Sequence, residues 1–204
     1  MLSIRSFTAA AAVAGLLAAG AALASPAQAA DTPSRTAVSF LDVTNGSFET
    51  PPAAPPWSPF VVGQTFGGWT VTSGNVDLVG NYWQAADGTQ SVDLNGTVPG
   101  AISQTFATVP GTAYVVTFSL AGNPDYPQAP TLRTGNVLVD GTPRSSFAFN
   151  VTGKSRTNMG WVTKTVGFTA TDTSTTLTFA STTLGVKGPA IDKVSVVPGC
   201  SCAL

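Results

Sequence analysis

The stretch AYVVTFSL, from Ala113 to Leu120, decides the fold class because its residues alternate in polarity. Every second residue from Tyr114 to Leu120 is large and apolar, whereas Thr117 and Ser119 lie between them. A period of two residues is that of a β-strand, whose successive side chains point to opposite faces. The stretch therefore predicts a strand with one face buried in a core.

Runs with the same period lie on both sides of this strand. Turn signals separate them, among them the Asp-Gly pairs that begin at Asp87 and Asp140. The runs are NVDLV (75–79), TQSVDLNG (89–96), GAISQTFATV (100–109), GNVLVDG (135–141), SSFAFNV (145–151), WVTKTVGFTA (161–170) and STTLTFAS (174–181). About ten short strands in one domain are typical of a two-sheet sandwich. We therefore predict an all-β, two-sheet jelly-roll sandwich over residues 37–198, with Trp69 and Trp161 in its core.

The first 29 residues have the pattern of a secretory signal peptide. Arg5 is followed by a run of Ala, Gly, Leu and Val from Ala9 to Ala24, and then by the triplet Ala27-Gln28-Ala29. No later segment approaches the roughly 20 apolar residues of a membrane span. We expect a signal peptide over residues 1–29, a short linker over 30–36, and a secreted mature protein without a membrane span.

The composition excludes several classes of function. Charged residues make up only 9% of the chain, the formal net charge is −1, and there is no basic stripe to neutralise a phosphate backbone. We therefore expect no nucleic acid partner. The chain contains no His, which removes the Ser-His-Asp triad and the imidazole ligands of zinc. We expect no enzyme, although a glycoside hydrolase with two carboxylates from Asp77, Asp87, Asp93 and Asp125 stays open as a minor alternative.

The two cysteines lie together in a C-terminal tail over residues 199–204. Cys200 and Cys202 form the motif C-S-C, so no disulfide can cross-link the sandwich itself. In an exported protein they can form a strained ring, pair between chains, be capped, or stay without an essential role.

One segment of the predicted domain does not resemble a strand. Most residues of ETPPAAPPWSP, from Glu49 to Pro59, are Pro or Ala, which indicates extended, irregular chain. We predict a crossover loop over residues 50–59. Trp57 inside it either fixes the loop to the sandwich or stays exposed for stacking on a ligand.

Polar residues interrupt several apolar faces. In GPAIDKVSVV (188–197), strict alternation places Asp192 on the same face as Val194 and Val196. Gln90 and Gln104 interrupt other apolar faces in the same way. A buried amide or carboxylate must be hydrogen-bonded or coordinated. These residues therefore either tie down loop backbone or belong to polar sites inside the sandwich.

Several motifs, in order along the chain, resemble those of the choice-of-anchor C family of exported bacterial proteins. The same pattern is similar to a plant cell-wall family, the domain-of-unknown-function family 642. The motifs are NGSFE (45–49), GGW (67–69), GNVDLV (74–79), ADGTQSVDLNG (86–96), PGAISQTF (99–106), PGTAYVVTFSLAGNPD (110–125) and GPAIDKVSV (188–196). The resemblance implies a galactose-binding-domain-like β-sandwich, and the plant members of the family are associated with cell-wall polysaccharides and with wall-modifying esterases.

The end of the chain departs from the choice-of-anchor pattern. Such proteins usually end in a sorting signal, whereas this sequence stops at PGCSCAL. We therefore expect a released protein, or one held at the cell wall only by what its sandwich binds.

The resemblance also implies a structural calcium ion. In related sandwiches an N-G-x-F-E segment and an Asp of the last strand share the ion, which corresponds here to Glu49 and Asp192, with Asp93 as a further ligand. Calcium takes oxygen ligands of this kind. The alternative is that Asp192 accepts hydrogen bonds from loop N–H groups and closes the sandwich without a metal.

The leading functional hypothesis is a non-catalytic module that binds cell-wall or extracellular polysaccharide. Aromatic faces stack on sugar rings while amides and carboxylates bind the hydroxyls. The predicted ligand-binding residues are Tyr82, Trp83, Asp87, Gln90, Asn123 and Asp125. The alternative is a protein-interaction or envelope structural module without a glycan ligand, which predicts an exposed apolar patch.

Overall fold

A computed structural model describes residues 43–125 and 131–199 of the chain, and this part is built from twelve β-strands without a helix. The predicted signal peptide, the linker and the C-S-C motif lie outside the described residues. The strands are β1 (Trp57–Val61), β2 (Thr65–Phe66), β3 (Trp69–Ser73), β4 (Asn75–Val79), β5 (Ser91–Asp93), β6 (Ala101–Ala107), β7 (Ala113–Gly122), β8 (Leu132–Val139), β9 (Thr142–Asn150), β10 (Val162–Thr169), β11 (Ser174–Ser181) and β12 (Pro189–Pro198). In residues 43–125 and 131–199, we find no helix with the length and apolar character that crossing a membrane requires.

The strands form two antiparallel sheets of six strands each. Sheet A has the order β1-β4-β5-β12-β7-β10, and sheet B has the order β2-β3-β6-β11-β8-β9. Apolar side chains from the inner faces of both sheets form one core cluster. The prediction of an all-β, two-sheet sandwich is therefore confirmed.

Aromatic contacts across the core join the two sheets. The ring of Phe118 in β7 packs edge-on against Phe179 in β11 and Phe147 in β9, at centroid distances of 4.9 Å and 5.9 Å. Trp69 is fully buried and also contacts Phe179, whereas Trp161 is only partly buried against the core. Each fully buried ring of this size stabilises the fold by about 1.5 to 3 kcal/mol.

The last strand contains a β-bulge that strict alternation does not anticipate. Ile191 lies opposite Leu120 and Val196 lies opposite Val116, and all four side chains are buried in the core. Because 191 and 196 are an odd number of residues apart, one extra residue is needed between them. The register shifts between Asp192 and Ser195. The prediction that Asp192 shares a face with Val196 is therefore wrong, because the side chain of Asp192 points away from the core.

The Pro-rich segment ends earlier than predicted, because β1 begins at Trp57 rather than after Pro59. A Pro cannot donate to a ladder, so Pro residues in strands are confined to sheet edges. Among the described strands, β1 is the edge strand of sheet A and pairs only with β4, which explains why Pro59 is tolerated. The sequence pattern shows the prolines but not the position of the strand in the sheet.

The segment between β4 and β5 covers part of the outward face of sheet A. Trp83 of this segment is buried and its indole Nε1 donates a hydrogen bond to Oγ of Ser91, at 2.8 Å. Asp93 and Asp192 are buried although they also point away from the core. The outward face of sheet A therefore carries polar groups that are shielded from water.

Candidate binding cleft

A cleft of about 400 Å³ opens on the outward face of sheet A. Side chains of β1 and β4 lie along it, and residues 82–83, 96–97, 123 and 186–187 from the surrounding loops complete it. Of the predicted ligand-binding residues, Tyr82, Trp83 and Asn123 line this cleft. Trp57 and Asp77 line it as well.

Aromatic rings form one wall of the cleft. The ring of Trp57 meets the ring of Tyr82 edge-on, with a centroid distance of 5.0 Å, and Tyr82 lies 5.9 Å from Trp83. Trp57 is 41% exposed, whereas Trp83 is buried. Trp57 thus presents apolar ring surface to solvent beside the cleft.

Tyr82 is held in place by an ionic cluster behind the wall. Its hydroxyl donates a hydrogen bond to Oδ2 of Asp125 at 2.6 Å, and the guanidinium carbon of Arg156 lies 3.8 Å from the centre of its ring. Nε and Nη2 of Arg156 donate to the two oxygens of Asp125, at 2.9 Å and 2.8 Å. Burial opposes ionisation of Asp125, but these hydrogen bonds and the charges of Arg156 and Lys187 hold its pKa below the usual value.

The floor of the cleft contains a carboxylate. Asp77 in β4 lies opposite Asp93 in β5, so both side chains are on the outward face of sheet A. Burial raises the pKa of Asp77 to about 6, and the positive charge of Lys187 works against this shift. No hydrogen bond from another described residue reaches the Asp77 carboxylate, which therefore faces the cleft as an acceptor.

Asp93 lies beneath the cleft and is engaged by the protein. Its Oδ1 accepts hydrogen bonds from the backbone N–H groups of Asn95 and Gly188, at 2.9 Å and 3.1 Å, and its Oδ2 accepts from Nδ2 of Asn123 at 2.7 Å. Burial raises the pKa of Asp93 to about 7 despite these donors. Asp93 and Asn123 thus tie the end of β5 to the loop after β7.

Two predicted ligand-binding residues lie elsewhere. Asp87 has an exposed side chain, and its backbone N–H donates to Asp192. Gln90 is buried under the Pro-rich segment, where its amide accepts from Ala53 N–H and donates to the carbonyl of Pro51. Gln104 similarly binds both backbone groups of Thr44. Both glutamines tie down loop backbone, which is one of the two alternatives that the sequence left open.

The predicted calcium ligands are not brought together. Glu49 accepts from the N–H groups of Thr89 and Gln90, at 2.9 Å and 2.8 Å. Asp192 accepts from the N–H groups of Ala86, Asp87 and Lys193, at 2.8, 2.9 and 2.6 Å. These two carboxylates hold opposite ends of the loop over residues 86–90, and Asp93 lies under the cleft.

The three predicted ligands do not fit one shared calcium ion, because Glu49 and Asp192 bind different parts of the loop over residues 86–90, whereas Asp93 binds Asn95, Gly188 and Asn123. Within the described residues, no three acidic, His or Cys side chains form a group that could hold a metal. Asp192 instead makes the hydrogen bonds of the metal-free alternative. Calcium binding by the protein stays a prediction.

Trp57 and Asp77 were not among the predicted ligand-binding residues. The sequence leaves Trp57 open between an anchor of the loop and a ring for stacking, and it offers Asp77 only as a catalytic acid. The pairing of β1 with β4 places Trp57 opposite Val79 and Pro59 opposite Asp77. Period-two alternation in NVDLV puts Asn75 and Asp77 on one face, but nothing local in the sequence shows that β1 lies beside them.

The motifs, the fold and the cleft can now be compared with known proteins. A family model described as "Protein of unknown function (DUF642)" matches residues 41–197. The chain belongs to the DUF642 family. This confirms the resemblance to the domain-of-unknown-function family 642, whereas the resemblance to the choice-of-anchor C family stays a prediction.

One relative of this DUF642 protein is a much longer chain. This relative is "Halomucin" of Haloquadratum walsbyi. The two sequences are 38% identical over 133 residues, and the matched segment covers 64% of this chain. The matched segment spans about 1% of the length of halomucin.

The DUF642 sandwich is also similar to solved carbohydrate-binding modules. For a family 35 module from Cellvibrio japonicus Abf62 the identity is 17%, with 70% of this chain and 94% of the module covered and a TM-score of 0.48. For the CBM22-1 xylan-binding domain of Paenibacillus barcinonensis Xyn10C the identity is 14%, with 69% of this chain and 92% of the domain covered and a TM-score of 0.47. For a family 35 module from Clostridium thermocellum the identity is 15%, with 70% of this chain and 99% of the module covered and a TM-score of 0.44. At this level the similarity concerns the fold and says nothing about a ligand.

Proposed function

We propose that this protein is a secreted, non-catalytic module that binds cell-wall or other extracellular polysaccharide in the cleft of sheet A. The observation that carries the proposal is the cleft itself, in which the exposed ring of Trp57 stands beside the carboxylate of Asp77. An apolar wall with a few directed polar groups is the usual design of a small-ligand site.

The two sides of the cleft match the two sides of a sugar. The C–H face of a pyranose ring packs on an aromatic face, here that of Trp57, with Tyr82 fixed edge-on behind it. The ring hydroxyls donate hydrogen bonds to acceptors, here the carboxylate of Asp77. Because Asp125 and Arg156 hold Tyr82, the wall is already in place before a ligand arrives, which lowers the entropy cost of binding.

Titration calorimetry with a panel of plant and bacterial cell-wall polysaccharides tests the proposal. For a polysaccharide that binds, Trp57→Ala should weaken binding at least tenfold because the stacking surface is lost. The matched control is Val61→Ala, since Val61 lies in the same strand and is exposed but does not line the cleft. The proposal fails if no polysaccharide binds, or if both variants bind as the wild type does.

Hydrolysis is a weaker candidate function. The cross-strand pair Asp77 and Asp93 is the closest approach to a two-carboxylate site, but Asp93 is 2% exposed and accepts three hydrogen bonds from the protein. A glycosidase needs both carboxyl groups at the glycosidic bond. We therefore expect no release of reducing ends from any polysaccharide that binds.

A protein partner is the second candidate, and one observation favours it. The loop between β11 and β12 exposes Leu184 to 82% and Val186 to 50%, and Val186 reaches the cleft. Such apolar surface is typical of interaction sites. Leu184→Ser distinguishes the two candidates, because it should leave polysaccharide affinity unchanged and abolish binding to a protein partner at this loop.

Secretion belongs to the proposal and rests on the predicted signal peptide. Cleavage should leave a mature chain that begins at residue 30. N-terminal sequencing of the protein recovered from the culture medium tests this, and an intact N-terminus in the cell fraction contradicts it.

A further inference from the structure

One buried oxygen beneath the cleft has no donor among the described residues. It is Oδ1 of Asn95, whose side chain is fully buried. Leaving a buried acceptor unsatisfied costs about 1 to 3 kcal/mol, so such an atom indicates a missing partner.

The orientation of the Asn95 amide is unambiguous. Its Nδ2 donates to two backbone carbonyls, those of Thr183 at 2.8 Å and Gly185 at 2.7 Å. Exchanging the amide nitrogen and oxygen would set an oxygen against both carbonyls, which excludes the flipped conformer. Oδ1 is therefore the atom that points toward Gly188 and Asp93.

Two glycines lie against the side-chain oxygens at this place, Gly188 beside those of Asn95 and Asp93 and Gly96 beside those of Asn75 and Asp77. A Cβ on Gly188 would lie 2.3 Å from Oδ1 of Asn95 and 2.6 Å from Oδ1 of Asp93. A Cβ on Gly96 would lie 2.6 Å from Oδ1 of Asn75 and 3.3 Å from Oδ1 of Asp77. Any larger residue would therefore clash with the oxygens of Asn95 and Asp93 at position 188, and with those of Asn75 and Asp77 at position 96.

The carboxylates of Asp77 and Asp93 repel each other at this place. Asp77 and Asp93 lie directly opposite each other on neighbouring strands, an arrangement that is destabilising for like charges. Lys187 attracts Asp77 and Arg133 attracts Asp93, so each carboxylate already has one positive neighbour. A cation between the two carboxylates would relieve their repulsion and would also provide the partner that Asn95 lacks.

We propose that Asp77, Asp93 and Asn95 supply the protein ligands of a calcium site at the floor of the cleft. Two carboxylates and an amide oxygen are the ligands that calcium takes, whereas zinc and other transition metals favour nitrogen and sulfur. Only Asp93 is shared with the ligand set that the sequence predicted. The site does not depend on sugar binding, because its ligands come from the protein alone.

Titration calorimetry of the purified protein with calcium chloride, at pH 8 and without sugar, tests this site. We expect one ion per chain with a Kd of about 0.1 to 1 mM, the range of extracellular calcium modules. Asp77→Asn removes one charged ligand from a partly exposed position and should weaken binding at least tenfold. Lys187→Gln removes the competing positive charge and should tighten binding several-fold.

Glu49→Gln is the matched control, because it removes a carboxylate of the other predicted set and should leave calcium affinity unchanged. Asp77→Asn should weaken calcium binding and Lys187→Gln should strengthen it, so the other variant still tests the site if one of them is unstable. A wild-type protein that takes up no calcium overturns the proposal and leaves a buried water as the partner of Asn95. So does a loss of affinity in Glu49→Gln with none in Asp77→Asn.

Discussion

The residue type of Asp192 predicts that its side chain needs a partner, but it does not identify that partner. A carboxylate in an apolar strand pattern indicates a partner, and the partners are three backbone N–H groups, two of them from the loop over residues 86–90. The need for a partner follows from the cost of burying a charge. Which partner is present depends on the bulge and on a loop more than 100 residues away in sequence.

The pH dependence of stability should reveal this carboxyl group. Burial raises the pKa of Asp192 to about 7 from 3.8, against the opposing effect of its N–H donors, and the nearby charge of Asp87 raises it further. The unfolded chain therefore releases this proton at lower pH than the folded chain does. The contribution of Asp192 to stability is full below about pH 4 and is lost as the pH rises to about 7.

Urea unfolding of the wild type and of Asp192→Asn at pH 4, 5.5 and 7.5 measures this contribution. Between about pH 4 and 7 the wild type should lose more unfolding free energy than the variant does, because Asn does not titrate. Parallel pH profiles for the two proteins would show that the group has the same pKa in both states.

Arg156 should act on the ligand only through Tyr82. Arg156→Met removes the two hydrogen bonds to Asp125 and the cation over the Tyr82 ring. If the cleft binds polysaccharide, we expect affinity to fall several-fold while the unfolding midpoint changes little, because the Arg156 side chain is half-exposed. Arg144→Met on the exposed part of β9 is the control. Equal affinities in the two variants would show that Tyr82 needs no such support.

At the scale of elements, the alternation of polar and apolar residues predicts the positions of strands well. It does not predict where a bulge moves side chains to the opposite face. AYVVTFSL became part of β7, and STTLTFAS became β11. In β12 the bulge reverses the alternation, and at the Pro-rich segment the prolines concealed β1. Both features are set by the neighbouring strand, so the local pattern carries no signal for them.

The N-terminal segment packs against the β12 bulge so closely that only glycine fits. The carbonyl of Gly46 accepts from the N–H of Val194 at 2.8 Å, and a Cβ on Gly46 would lie 1.9 Å from the carbonyl oxygen of Val194. Gly46→Ala should therefore lower the free energy of unfolding by about 2 to 4 kcal/mol, since the backbone on one side must move. Chemical denaturation measures this.

Gly167→Ala is the control for this substitution. Gly167 lies in β10, and a Cβ there would have only one neighbour within 4 Å, the carbonyl oxygen of Tyr114 at 3.9 Å. Its effect should stay within about 0.5 kcal/mol or be stabilising. A loss of stability as large as that of Gly46→Ala would mean that the contact with β12 is not the cause.

At the scale of the whole molecule, composition and period were enough to predict the sandwich but not the cleft. Tyr82, Trp83 and Asn123 are predicted ligand-binding residues because aromatic and amide side chains suit sugars, and all three line the cleft. Trp57 and Asp77 join them only through the pairing of the edge strand β1 with β4. Strand order is a non-local property, and one sequence does not reveal it.

A ligand that binds only the folded sandwich must raise its unfolding midpoint. At a free concentration of 100 times the Kd, a bound polysaccharide should stabilise the protein by about 2.7 kcal/mol, which is about 5 to 10 °C for a domain of this size. Trp57→Ala should keep nearly the midpoint of the free protein, because the ring is 41% exposed, but should lose most of the rise with ligand. Scanning calorimetry with and without ligand measures both quantities. If Trp57→Ala retains the full rise, the ligand binds outside the cleft, and the loop that exposes Leu184 becomes the surface to examine next.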